Sequence, residues 1–150
     1  MVRPKRVGHI ALYVKDVDAS IKFYTEVLGF QISAKRTAGP GAFLTCGQFH
    51  HDLALFGGLE GAEPVKTNDT TLHHFAVQVE NFQALKEIYQ TLKEKGVKVD
   101  QATDHGVTGS IYVADPDGNR VEIFFDKFEN PADGLAEMRR TGGQVAKLIL

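Results

Sequence analysis

Cysteine is nearly absent from this 150-residue chain: Cys46 stands alone. A single thiol excludes a disulfide framework and any zinc site built on paired cysteines. An excess of one charge is missing too. The 17 Lys and Arg against 19 Asp and Glu leave a net charge of −2, with a pI near 6.3. Without a basic stripe, nucleic acid is a poor partner. Long apolar runs are also lacking. The basic start Met1-Val2-Arg3-Pro4-Lys5-Arg6 leads into no apolar stretch. Neither a signal peptide nor a membrane span is expected, and a soluble cytoplasmic protein is the default. The length suits one domain with a real core.

What is present is a repeat. Gly8-His9-Ile10-Ala11-Leu12-Tyr13-Val14 and His73-His74-Phe75-Ala76-Val77-Gln78-Val79 are two versions of one phrase. Each alternates as a strand does. After the first, Asp16 or Asp18 can cap a helix carrying Ile21, Phe23, Tyr24, Val27 and Leu28, and Gly29 stops it. Strands follow over 30–34, 42–46 and 52–56. After the second phrase, Asn81 caps a helix with Phe82, Leu85, Ile88, Tyr89 and Leu92, ended by Gly96. Strands follow over 97–99, 110–114 and 121–125, the last two joined by the turn Asp115-Pro116-Asp117-Gly118-Asn119. The fold class is therefore α+β. Paired βαβββ modules over about 6–57 and 72–126 should form a cupped mixed sheet with helices outside. Residues 58–71 read as a linker. An extension over 127–150 contains a helix at 131–140, and its apolar end, 145–150, packs on the body or on a second subunit of a homo-oligomer.

Strand parity selects the candidate site. Alternate side chains of a strand face opposite ways. If Ile10, Leu12, Val14 and Phe75, Val77, Val79 pack on the helices, then His9 and His74 point to the concave face. If Val121, Ile123 and Phe125 do the same, Arg120, Glu122 and Phe124 turn inward. Tyr112 follows by the same rule. A carboxylate in a sheet cavity is costly unless paired or metal-bound. Taken singly, each residue has a plain structural reading: a hydrogen-bonded histidine, a solvent-facing glutamate, a packing tyrosine. Together, two histidines and a carboxylate make the facial ligand set of non-heme Fe2+, and the same set can hold Mn2+, Zn2+ or Ni2+.

Here a resemblance enters. Over roughly residues 6–126 the paired modules resemble the vicinal oxygen chelate superfamily, which includes glyoxalase I, type I extradiol dioxygenases and bleomycin-resistance proteins. Three phrases are similar to the extradiol, catechol 2,3-dioxygenase-like branch. The resemblance implies iron ligands at His9, His74 and Glu122. The run Tyr112-Val113-Ala114-Asp115-Pro116-Asp117-Gly118-Asn119-Arg120-Val121-Glu122 looks like that branch's closing motif. His51, in His50-His51-Asp52-Leu53-Ala54-Leu55, matches its acid/base histidine. His105, in His105-Gly106-Val107-Thr108, resembles a further catalytic histidine, although the stretch from His105 to Tyr112 is shorter here. Parity leaves open whether His50 or His51 faces the concavity.

The implied function is extradiol cleavage of a catechol-type diol with O2, catalysed through His51, Tyr112 and His105. Phe43, Phe49 and Phe124 are candidate aromatic walls. One rival is a glyoxalase I-like lyase or a fosfomycin-type transferase. Another is a non-catalytic binder of the bleomycin-resistance type, against which the full ligand set argues.

Overall fold

The computed structural model describes residues 5–58 and 72–150. These fall into two compact units, Met1–Pro64 and Val65–Leu150.

The first unit runs β1 (Ile10–Tyr13), α1 (Val17–Glu26), β2 (Gln31–Lys35), β3 (Gly41–Thr45) and β4 (Leu53–Phe56). Its sheet order is β1-β4-β3-β2. β1 and β4 are parallel, which requires a long crossover, and α1 begins it. Asp16 caps that helix by accepting the Ala19 amide at 3.0 Å. Phe23, Tyr24 and Leu28 are buried, as are Leu12, Val14, Leu44, Leu53 and Leu55 of the strands and their flanks. The expected parity holds: Leu12 and Val14 are buried, whereas His9, Ala11 and Tyr13 are exposed.

The second unit repeats the plan with β5 (Phe75–Gln78), α2 (Phe82–Glu94), β6 (Val99–Asp104), β7 (Thr108–Ala114) and β8 (Arg120–Asp126). Its order, β5-β8-β7-β6, is that of the first unit, and β5 again runs parallel to β8. Asn81 caps α2 through the Ala84 amide. Leu85 and Leu92 bury with Ile111, Val113, Val121 and Ile123. The two mixed sheets and their helices make the α+β repeat expected from the sequence. No helix among the described residues is long and apolar enough to cross a membrane.

Two elements differ from expectation. β6 extends over 99–104 rather than 97–99, because the largely polar run Gln101–Asp104 pairs with β7 through its backbone, with a register shift between Val99 and Gln101. The extension forms α3 (Pro131–Thr141) and a short β9 (Ala146–Lys147) that joins the sheet beside β6. Most of the expected linker, 59–71, lies outside the described residues.

Candidate metal centre

The turn after β7 does the aiming. Asp115 Oδ1 accepts the amides of Asp117 and Asn119 at 3.0 and 2.8 Å, and Oδ2 accepts Asn119 Nδ2 at 2.9 Å. Gly118 takes φ 86, a region that asks for glycine. With the turn so tied, β7 and β8 lock into one register, and Tyr112 stands directly opposite Glu122. A slip of one residue would turn one of them to the other face.

Four side chains of the second unit meet there. Both Tyr112 and Glu122 are buried. The Tyr112 hydroxyl donates to Glu122 Oε1 at 2.9 Å. His105 Nε2 lies 2.9 Å from the same hydroxyl and 4.0 Å from Glu122 Oε1. His74 Nε2 lies 3.0 Å from Glu122 Oε2, while its Nδ1 is 2.7 Å from Nδ1 of His73. Burial, with the Glu122 carboxylate beside it, pushes the Tyr112 hydroxyl up to about 12, so it stays protonated and donates. The Arg120 guanidinium stacks 4.3 Å from the Tyr112 ring and donates to Gln101.

The first unit gathers its own histidines. Ile10 pairs with Leu53, and the Ile10 amide donates to the Asp52 carbonyl at 3.0 Å. That register brings the His9 ring 4.4 Å from the His51 ring. β4 starts only at Leu53, so His51 is released from the parity that would have set it with Leu53 and Leu55. His51 is half-buried and packs 5.2 Å from Phe43. His50 is exposed, with its Nδ1 2.6 Å from Nδ1 of His51. Burial, and then His50 and His9, hold His51 below the usual histidine range. Phe124 is half-buried on β8. Phe49 is exposed and lies under the Arg6 guanidinium at 3.7 Å.

Of the expected ligands, His74 and Glu122 meet within one unit, and His9 belongs to the other. Among the described residues, no three His, Cys, Asp or Glu side chains are close enough together to hold an ion. The donor set of the pair nonetheless fits a divalent metal. An imidazole nitrogen and a carboxylate oxygen suit Fe2+, Mn2+, Zn2+ and Ni2+. At 3.0 Å from each other, the two donor atoms are close enough to share one ion. Strand parity could not find the His105–Tyr112 contact. Its only signal in the sequence is the His-Gly-x-Thr phrase.

The sequence profile of the Glyoxalase/Bleomycin resistance protein/Dioxygenase superfamily matches residues 6–123. The chain belongs to that superfamily. Among its relatives are two proteins of Rhodococcus globerulus. One is biphenyl-2,3-diol 1,2-dioxygenase 3, 36% identical over 89% of this chain and 70% of that one. The other is biphenyl-2,3-diol 1,2-dioxygenase 2, 32% identical over 92% and 72%. The glutathione transferase FosA of Serratia marcescens is 32% identical over 78% of each chain. Among solved structures, the lactoylglutathione lyase of Agrobacterium tumefaciens superposes with a TM-score of 0.63 at 26% identity, over 81% of this chain and 94% of that one.

Proposed function

We propose that this superfamily member is a metal-dependent extradiol ring-cleaving dioxygenase acting on a catechol-type diol with O2. One observation carries the reading. A protonated Tyr112 hydroxyl lies 2.9 Å from both Glu122 Oε1 and His105 Nε2, beside His74. The two Rhodococcus relatives, whose names state diol dioxygenases, support the choice of reaction.

In this reading His9, His74 and Glu122 hold the metal, Fe2+ by preference and Mn2+, Zn2+ or Ni2+ as alternatives. When bound, it supplies Lewis acidity that lowers the pKa of a diol hydroxyl. Tyr112 then donates a hydrogen bond to the substrate oxygen and favours its ionised form. Its hydroxyl also offers a path for a proton to His105 Nε2. His51 acts as general acid and base, a role suited to a histidine held neutral. Phe43 and Phe124 supply apolar surface for the ring. Both oxygen atoms of O2 end in the product, a ring-opened semialdehyde or keto acid. A cytoplasmic setting belongs to the same proposal and is supported by the single free thiol, Cys46.

The test uses protein purified without oxygen, reconstituted with Fe2+ and offered a panel of monocyclic and bicyclic catechols. At least one should be cleaved, with O2 consumed in equal amount and a yellow product formed. No O2 uptake with any diol, together with isomerisation of a thiol hemithioacetal, would move the protein to the lyase branch. Silence in both assays from a protein that holds no metal would favour the binding-protein reading.

A further inference from the structure

The C-terminal segment makes a contact that neither the repeat nor the superfamily match accounts for. The match ends at residue 123. α3 closes at Gly142, in the left-handed region at φ 69, and Gly143 follows at φ 88. Two glycines at positive φ turn the chain back on itself. It then runs antiparallel along the end of β6, with Lys147 beside Thr103 and Ala146 beside Asp104. The Gln144 amide donates to the His105 carbonyl at 3.3 Å. In return, His105 Nδ1 lies 3.3 Å from the Gln144 carbonyl. The Gln144 side chain lies over Gly106, where a Cβ would meet its Oε1 at 3.2 Å.

We propose that this strap, residues 142–148, is a positioning element that fixes His105 in the Nδ1–H tautomer and presents its bare Nε2 to the Tyr112 hydroxyl. A backbone carbonyl only accepts, so Nδ1 must carry the hydrogen. In a neutral ring the lone pair then sits on Nε2. The Tyr112 hydroxyl has one proton and two acceptors, Nε2 and Glu122 Oε1, each at 2.9 Å. The hydroxyl can turn its one hydrogen bond from either acceptor to the other. The opposite tautomer would donate from Nε2 to the phenol oxygen and leave the hydroxyl only Glu122 Oε1 to donate to. The strap therefore decides whether His105 accepts the Tyr112 hydrogen bond or donates one to the phenol oxygen. Only the consequence for turnover rests on the dioxygenase reading; the tautomer does not.

The experiment reads the ring nitrogens of His105 by nitrogen-15 NMR in the full-length, metal-free protein, at a pH where the ring is neutral. The expected signature is a protonated Nδ1 and a bare Nε2; a protonated Nε2 overturns the proposal. Gln144→Pro removes the amide that donates to the His105 carbonyl. It should mix the two tautomers and lower kcat roughly tenfold, the value of about one hydrogen bond, with KM unchanged. Gln144→Ala keeps both backbone groups and should restore the wild-type signature. A Gln144→Pro protein that still shows the pure Nδ1–H form would sink the role of the strap. Should that variant not fold, the scalar coupling across the hydrogen bond from His105 Nδ1–H to the Gln144 carbonyl decides in the wild-type protein: its presence supports the strap's role and its absence overturns it. An inactive protein with the Nδ1–H signature would refute the dioxygenase reading and leave this inference standing.

Discussion

The Tyr112 hydroxyl donates to Glu122 Oε1 at 2.9 Å from the position directly opposite it in the β7–β8 ladder. The bond is buried and one partner is a carboxylate, so its loss should be felt more than that of a surface contact. Tyr112→Phe removes the hydroxyl and keeps the ring on which Arg120 stacks. In the proposed mechanism the same hydroxyl donates to the ionised substrate oxygen, so the expected outcome is a fall in kcat of about ten- to a hundredfold, from about 1.5–3 kcal/mol for a hydrogen bond to a charged group. Bound metal, measured in the same preparations, should change little. Equal loss of metal and turnover would show that Tyr112 serves the ligand rather than the substrate.

Glu122 is the second test. The residue is 9% exposed, and its carboxylate contacts His74 and Tyr112. Neither contact belongs to the apolar core. Glu122→Ala should therefore fold, with a melting temperature near the parent's without metal, since a desolvated carboxylate adds little net stability. Elemental analysis should find no bound metal and the assay no turnover. Stoichiometric metal in the variant would overturn the ligand assignment.

His51, the proposed acid and base, and its neighbour His50 can be told apart by substitution. His51 is half-buried between His9 and Phe43, and His50 is exposed. His51→Ala should keep the metal and lower turnover by about 10²–10⁴-fold, the usual contribution of a positioned acid or base. His50→Ala should do much less. A loss of metal from His51→Ala would instead make it a ligand.

What was legible in the sequence follows from the range of each interaction. Parity within β1 and β8 is a two-residue rule, and it placed Leu12, Val14, Val121 and Ile123 in the core. Tyr112 facing Glu122 was also within reach, because five residues, Asp115 to Asn119, carry their own turn chemistry. That His51 and not His50 is the half-buried member of the pair needed the start of β4, which rests on the Asp52 amide bonding to the Leu44 carbonyl at 2.8 Å. β6 was under-read because Gln101 to Asp104 pair through backbone and show no apolar alternation. His105 was hardest. Its position depends on Lys127 and Gln144, both far along the chain and neither marked by a motif.

The last prediction concerns that support. Lys127 Nζ reaches both carboxylate oxygens of Asp104, and Asp104 Oδ1 also accepts the Gly106 amide at 2.8 Å. Together they bracket His105. The Lys127 hydrogen bond, then that of Gly106, hold the Asp104 carboxyl below the usual carboxylate range. A carboxyl whose folded pKa is depressed stabilises the fold above its unfolded pKa, about 3.9, and that stabilisation is lost as pH falls through the lower, folded value. Lys127→Met leaves the backbone bond from Lys127 to the Val107 carbonyl in place. It should cost about 1 kcal/mol or less at neutral pH, since solvent screens a pair with nearly a third of each side chain exposed. Urea unfolding of parent and variant should therefore differ near pH 7, and the gap should close as pH drops below about 4. A gap that persisted unchanged to pH 2 would show that Lys127 acts through packing and not through the Asp104 charge.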